Sequence, residues 1–192
     1  MQPLESRIHY KFRNSLLLAE ALTHPSLAYE SQKPHFDNQR MEFLGDAVLQ
    51  LIVTEELFRR FPEFPEGRLT KLRSRVVSRR ALARFAMAIQ LGDYVLLGKG
   101  EEATGGRRRL STLADAFEAV IAAVYIEHGF TVAAAAVVVF LMSFAAGVAV
   151  PADTFTRFLF CHEYSRGPNE TQCVELNPDG SGVVRYKLRD TT

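Results

Sequence analysis

Through residue 150 the apolar positions recur with a helical period; only near the chain's end do they alternate as in strands. Residues 14 to 22 (NSLLLAEAL) read as a helix with Asn14 and Ser15 as caps, closed by Thr23-His24-Pro25-Ser26 because proline disfavours helix in the residue before it. A polar connector, SLAYESQKPHFDN, follows from 26 to 38. The next helix spans about 38 to 60 and carries Met41, Phe43, Leu44, Val48, Leu49, Leu51, Ile52, Val53 and Leu57, too broad a stripe for a surface helix. Two prolines and Gly67 in FPEFPEG end it. One basic helix, RLTKLRSRVVSRRALARFAMAI, is then predicted to about residue 89, a loop to Ser111, and a second mostly apolar helix, TLADAFEAVIAAVYIEHG, to Gly129.

Two later segments complete the pattern. Residues 131 to 150 carry no charged side chain and are about as long as a membrane span. Their alanine content, and flanks without a one-sided Lys/Arg cluster or aromatic belt, favour a buried helix over a membrane anchor. Past residue 150, TQCVEL and VVRYKL alternate on either side of Asn-Pro-Asp-Gly-Ser-Gly, a hairpin signal. The expected architecture is all-α, a helical bundle over residues 1–150, with a short β-hairpin-like C-terminal extension over 151–192.

Composition narrows the function classes. With 192 residues, 47% of them apolar, the chain can bury one substantial core. Basic and acidic residues nearly cancel, 23 against 22, so a polyanionic partner would have to be held by local clusters. Cys161 and Cys173 lie in no metal-binding spacing, and Glu5, Arg7, Lys11 and Arg13 interrupt any secretory apolar run. A cytoplasmic, reducing setting with free thiols and no membrane is expected.

The candidate chemistry lies in the two apolar helices. Glu42 and Asp46 are four residues apart and Asp115 and Glu118 three apart, so each pair shares one helical face. Ionised carboxylates gathered in low dielectric lose several kcal/mol of solvation each unless something positive joins them. Taken singly, each pair equally fits an acid that caps a neighbour or pairs with Arg40 or Arg73. Together they favour a hard divalent cation, Mg²⁺ with Mn²⁺ as a substitute, able to polarise a phosphoryl oxygen and ionise a bound water.

Basic elements sit near these acids in the sequence. Arg68, Lys71, Arg73, Arg75, Arg79 and Arg80 crowd one predicted helix, and Arg107, Arg108 and Arg109 follow Gly105-Gly106. A solvated helix face offset by Glu55, Glu56, Glu63 and Glu66 is the plainer reading. Adjacency to the acids favours nucleic-acid binding, with Arg68, Lys71, Arg73, Arg107, Arg108 and Arg109 as the candidate phosphate contacts. Aromatics are scattered rather than arranged to stack single strands, which fits duplex recognition by shape.

In order and spacing, ALTHPS (21–26), DNQRMEFLGDAVLQL (37–51), EGRLTKLRSRVVS (66–78) and GKGEEATGGRRRLSTLADAFEAVIAAVY (98–125) resemble the motifs of the ribonuclease III family. The resemblance runs from about residue 5 to residue 130 and implies the family's endonuclease-domain helical bundle. It further implies that Glu42, Asp46, Asp115 and Glu118 bind Mg²⁺, that Asp46 and Glu118 are catalytic, and that a homodimer cuts double-stranded RNA to 5′-phosphate and 3′-hydroxyl ends. Gln39 stands where the family usually has Glu, at a position associated with the dimer and site surroundings; Glu66 matches another acidic position. Residues 154–192 are too short for the double-stranded-RNA-binding domain many members add, so a truncated remnant and weaker, more salt-sensitive affinity are expected. The rival expectation is a catalytically impaired duplex-RNA-binding or ribosome-associated relative. Such relatives generally lack a site carboxylate, whereas all four are present here.

Overall fold

The computed structural model describes residues 4–8, 10–31, 36–145, 160–162, 170–176 and 182–188. Its helices are α1 (Leu4–Arg7), α2 (Ser15–Leu22), α3 (Pro25–Glu30), α4 (Gln39–Arg60), α5 (Glu66–Val76), α6 (Arg79–Ala88), α7 (Lys99–Ala103), α8 (Leu110–His128) and α9 (Phe130–Ala145). The helical fold class predicted above is the one observed. Three antiparallel strands follow in the order β1 (Phe160–His162), β2 (Glu170–Leu176), β3 (Gly182–Leu188), with Cys161 opposite Cys173 in register. The turn between the last two strands, and the segments 154–159 and 164–168, lie outside the described residues.

Helix α8 is the axis of the core. From Leu113 to Val124 it is buried almost all round, with Asp115 and Glu118 partly open. Against it pack α4 through Met41, Val48, Leu49, Ile52 and Val53, α6 through Leu82, Ala83, Phe85 and Ala86, and α9 through Ala133, Ala134 and Val137. The small side chains of α9 allow close helix approach, and no described helix is long and apolar enough to cross a membrane. Residues 146–150 of the uncharged segment lie outside the described residues.

Four local expectations are corrected. The connector at 26–38 contains α3, because Pro25 can occupy a first helical position, where its missing N–H is no loss, and the His24 ring caps the Ser26 N–H. The single basic helix is two helices, since Ser78 accepts a hydrogen bond from Ala81 N and starts α6 in a new direction. The loop before α8 contains α7 and 3₁₀ turns at Leu91–Asp93 and Gly106–Arg108. On α4, Phe43 is 82% and Leu51 56% exposed, so the broad apolar stripe is not wholly buried within one chain.

The close approach of α4 to α8 has a single-residue cause. A Cβ built on Gly45 would overlap the carbonyl oxygen of Glu118 and stand 3.2 Å from its Cα. Only glycine lets α4 and α8 approach this closely. Gly45→Ala is expected to destabilise the chain by about 2–3 kcal/mol, seen as a fall in Tm of roughly 5–10 °C. Gly67 on α5 is the control, because nothing lies within 4 Å of its built Cβ. Gly67→Ala should be neutral or stabilising by up to ~1 kcal/mol, and equal losses in the two variants would contradict the close-packing account.

Candidate active site

The start of α4 is fixed before its acids emerge. Asn38 is buried; its backbone N–H donates to Thr23 O at 2.9 Å, and its carbonyl accepts from Glu42 N at 2.7 Å. One turn on, Glu42 faces α8, and Gly45 then lets Asp46 lie beside it. From α8 come Asp115 and Glu118. All four line one open pocket of about 520 Å³ together with Gln39, Phe43, Arg79 and Ala114. Glu42, Asp115 and Glu118 each offer a carboxylate oxygen within 4.8 Å of the others. Asp46 is held on the same wall by Gln50, whose Nε2 donates to both of its oxygens at 2.8 and 3.1 Å.

The electrostatics follow from this crowding. Glu118 is pushed up to about 8, first by burial and then by Asp46, Glu42 and Asp115. Burial also raises Glu42, reinforced by Asp115, and raises Asp115, which the charges of Arg79 and His24 partly offset. Arg79 works in the same lowering direction on Glu42 and Glu118.

A hard divalent ion fits this donor set. Octahedral oxygen ligands at about 2.0–2.1 Å stand roughly 3–4 Å from one another, and three carboxylate oxygens within 4.8 Å reach that spacing by small side-chain rotations. Bound positive charge would also relieve the repulsion that raises Glu118. Neither Arg40 nor Arg73 neutralises these acids: Arg40 lines a neighbouring pocket, and Arg73 donates to Thr54 Oγ1 at 3.0 Å.

The other candidates are spread over the surface. Arg68 stacks on Phe64 with its guanidinium 3.5 Å from the ring centre, and Lys71 is exposed on α5. Arg108 is exposed. Arg109 pairs with Glu101 at 2.5 Å. Arg107 points inward, donating to Gly92 O at 2.6 Å and Val95 O at 2.8 Å while pairing with Glu102, so its position is that of a structural tie. Gln39 lines the pocket, whereas exposed Glu66 accepts from Thr70 Oγ1 at 2.9 Å and does not line it. Gln50, the support of Asp46, is not among the residues expected above, although its four-residue spacing from Asp46 is a readable signal. Arg79 belongs to the basic run expected on a solvated helix face, and no local signal marks it as facing the acids.

Comparison with known proteins gives consistent results. Residues 14–144 match the family model described as Ribonuclease-III-like. Ribonuclease 3 of Anoxybacillus flavithermus is 46% identical over 178 residues, which are 92% of this chain and 70% of the relative. That of Geobacillus thermodenitrificans is 51% identical over 189 residues, 97% and 72% of the two chains. That of Geobacillus kaustophilus is 52% identical over 129 residues, and this match spans only 52% of the relative's length. Among solved structures, a Campylobacter jejuni ribonuclease III nuclease domain, described as flexible in a region involved in dimer formation, superposes with TM-score 0.69. It is 41% identical, covering 73% of this chain and 94% of that one.

The raised carboxylate of Glu118 carries a stability consequence. In the unfolded chain Glu118 ionises near its ordinary value of 4.5, and in the folded chain near 8, so its contribution is fully present below 4.5 and is lost as pH rises toward 8. Without divalent ions, Tm should fall by a few degrees between pH 5 and pH 8. Glu118→Gln should flatten that slope, and added Mg²⁺ should stabilise more at pH 8 than at pH 5. A metal-free Tm that rises across this window would contradict the assignment.

Proposed function

This chain belongs to the ribonuclease III family and is a ribonuclease III-type endoribonuclease, and on that premise we propose that it hydrolyses double-stranded RNA with a divalent metal, Mg²⁺ or in substitution Mn²⁺. The observation that carries the reading is the convergence of four carboxylates from α4 and α8 on one open pocket. The products are 5′-phosphate and 3′-hydroxyl ends: water adds at phosphorus and the 3′-oxygen leaves with a proton. Residues 1–150 are read as the endonuclease domain, followed by the strand-bearing segment 151–192. A cytoplasmic RNA-processing role is part of this reading.

Each residue has a task set by its surroundings. Glu42, Asp115 and Glu118 would hold the metal, which when bound supplies Lewis acidity and a water of lowered pKa. Asp46 lines the same pocket with both oxygens held by Gln50 Nε2, outside the group of three carboxylates whose oxygens lie within 4.8 Å of one another. At neutral pH most of Glu118 is protonated in the metal-free chain, so loading the site displaces a proton from its carboxyl group. Arg68, Lys71 and Arg108, exposed on the surface, are the side chains left to hold phosphates away from the cut.

The same reading includes a homodimer. The Phe43 ring is 82% exposed beside a pocket of about 740 Å³ whose other lining residues are Leu17, Met41, Leu44 and Ile126 together with Glu20, Gln39 and Arg40. A ring this exposed next to a recess with an apolar wall fits a twofold contact in which each copy seats the other's Phe43. Phe43→Asp should halve the mass seen by analytical ultracentrifugation; an unchanged mass would place the dimer contact elsewhere.

Catalysis is tested on a short duplex RNA. Glu118→Gln should reduce cleavage by at least about 100-fold while retaining RNA binding, and EDTA should abolish cleavage by the unsubstituted chain. Binding without cleavage in ample Mg²⁺ would instead favour the catalytically impaired relative.

A further inference from the structure

Arg79 is the one arginine or lysine lining the acidic pocket among the described residues. It is the first residue of α6, whose direction is set by the Ser78 cap and whose inner face is anchored by buried Leu82, Ala83 and Phe85. Its charge reaches Glu42, Asp115 and Glu118, yet among the described residues it forms no ion pair and no side-chain hydrogen bond. A guanidinium within electrostatic range of three carboxylates, but in contact with none, keeps all its N–H donors for another group.

Resting on the nuclease reading above, we propose that Arg79 grips the non-bridging oxygens of the phosphate to be cut. An RNA phosphate entering this pocket meets four carboxylates, and a divalent ion offsets only part of that repulsion. The planar fork of arginine matches two phosphate oxygens at once and is never deprotonated, unlike an ammonium group. Because the pocket is lined by Arg79 on α6 and by the acids on α4 and α8, a phosphate lying within it can touch both. None of the six basic residues expected to hold RNA lines this pocket, and Arg107 among them is tied to Gly92 and Val95, which leaves this role to Arg79.

The plainer alternative is that Arg79 only moderates the acids. The two differ in measurable ways. RNA binding is followed by fluorescence anisotropy across a salt series in a Glu118→Gln background, where no strand is cut, and cleavage is followed under single turnover. Adding Arg79→Ala should lower the slope of log K against log salt by about one phosphate contact. In the cleaving chain Arg79→Ala should reduce the single-turnover rate at least tenfold, with Tm and the Mg²⁺-dependent rise in Tm retained. Arg79→Lys should preserve the salt slope and recover only part of the rate.

An unchanged slope would overturn the proposal. So would full recovery of the Arg79→Ala rate by Mg²⁺ alone, since Arg79 would then act only as a counter-charge. Absence of cleavage by the unsubstituted chain would defeat the nuclease reading instead, and the anisotropy arm would still decide whether Arg79 contacts phosphate.

Discussion

The backbone contact between Gly45 and Glu118 is the constraint on which this molecule depends. Helices packed through ordinary side chains keep their axes about 8–10 Å apart, a separation that leaves acids on facing helices in separate solvation shells. With no Cβ at Gly45, α4 settles against the main chain of α8 at the turn that carries Glu118. Flanking alanines extend the close approach: Ala114 lines the same pocket, and Ala116, Ala119, Ala122 and Ala123 are fully or almost fully buried. The carboxylates are therefore brought together by packing, against their mutual repulsion.

That repulsion is what makes the site responsive. Burial and three neighbouring acids hold Glu118 near a pKa of 8, so the metal-free pocket carries less negative charge at neutral pH than four ionised carboxylates would. In the proposed reading a proton and a divalent ion would compete for the same oxygens, which would couple occupancy of the site to pH and to stability. Arg79 relieves the crowding at a distance without closing ion pairs, so the pocket stays open.

Elements distant in sequence brace the acids. The corner between α2 and α3 pairs with the strand-like residue Leu96 through Leu22 and His24, while Ser26 Oγ accepts from Gly98 N at 2.9 Å. Glu30 then accepts from Lys99 N and Gly100 N at 2.9 and 3.2 Å, and these bonds hold its carboxyl below the usual range. ALTHPS and GKGEE, read as separate motifs, are thus two halves of one joint. His24 emerges from that joint close enough for its charge to act on Asp115.

The helical class, the main apolar helices and the acids on them are legible in the chain alone, because apolar period and carboxylate spacing are local properties of a helix. It could also be read for the Asn14 cap and for Gly129, whose positive φ of 79° ends α8. Only the tertiary structure decided which side chains meet. The break at Val77-Ser78 turns Arg79 toward the acids, Arg107 folds inward onto two carbonyls, and Phe43 stays outside although it is as apolar as its buried neighbours. These outcomes depend on where one helix lies against another, and that position is set by long-range packing, which leaves no periodic trace in the chain.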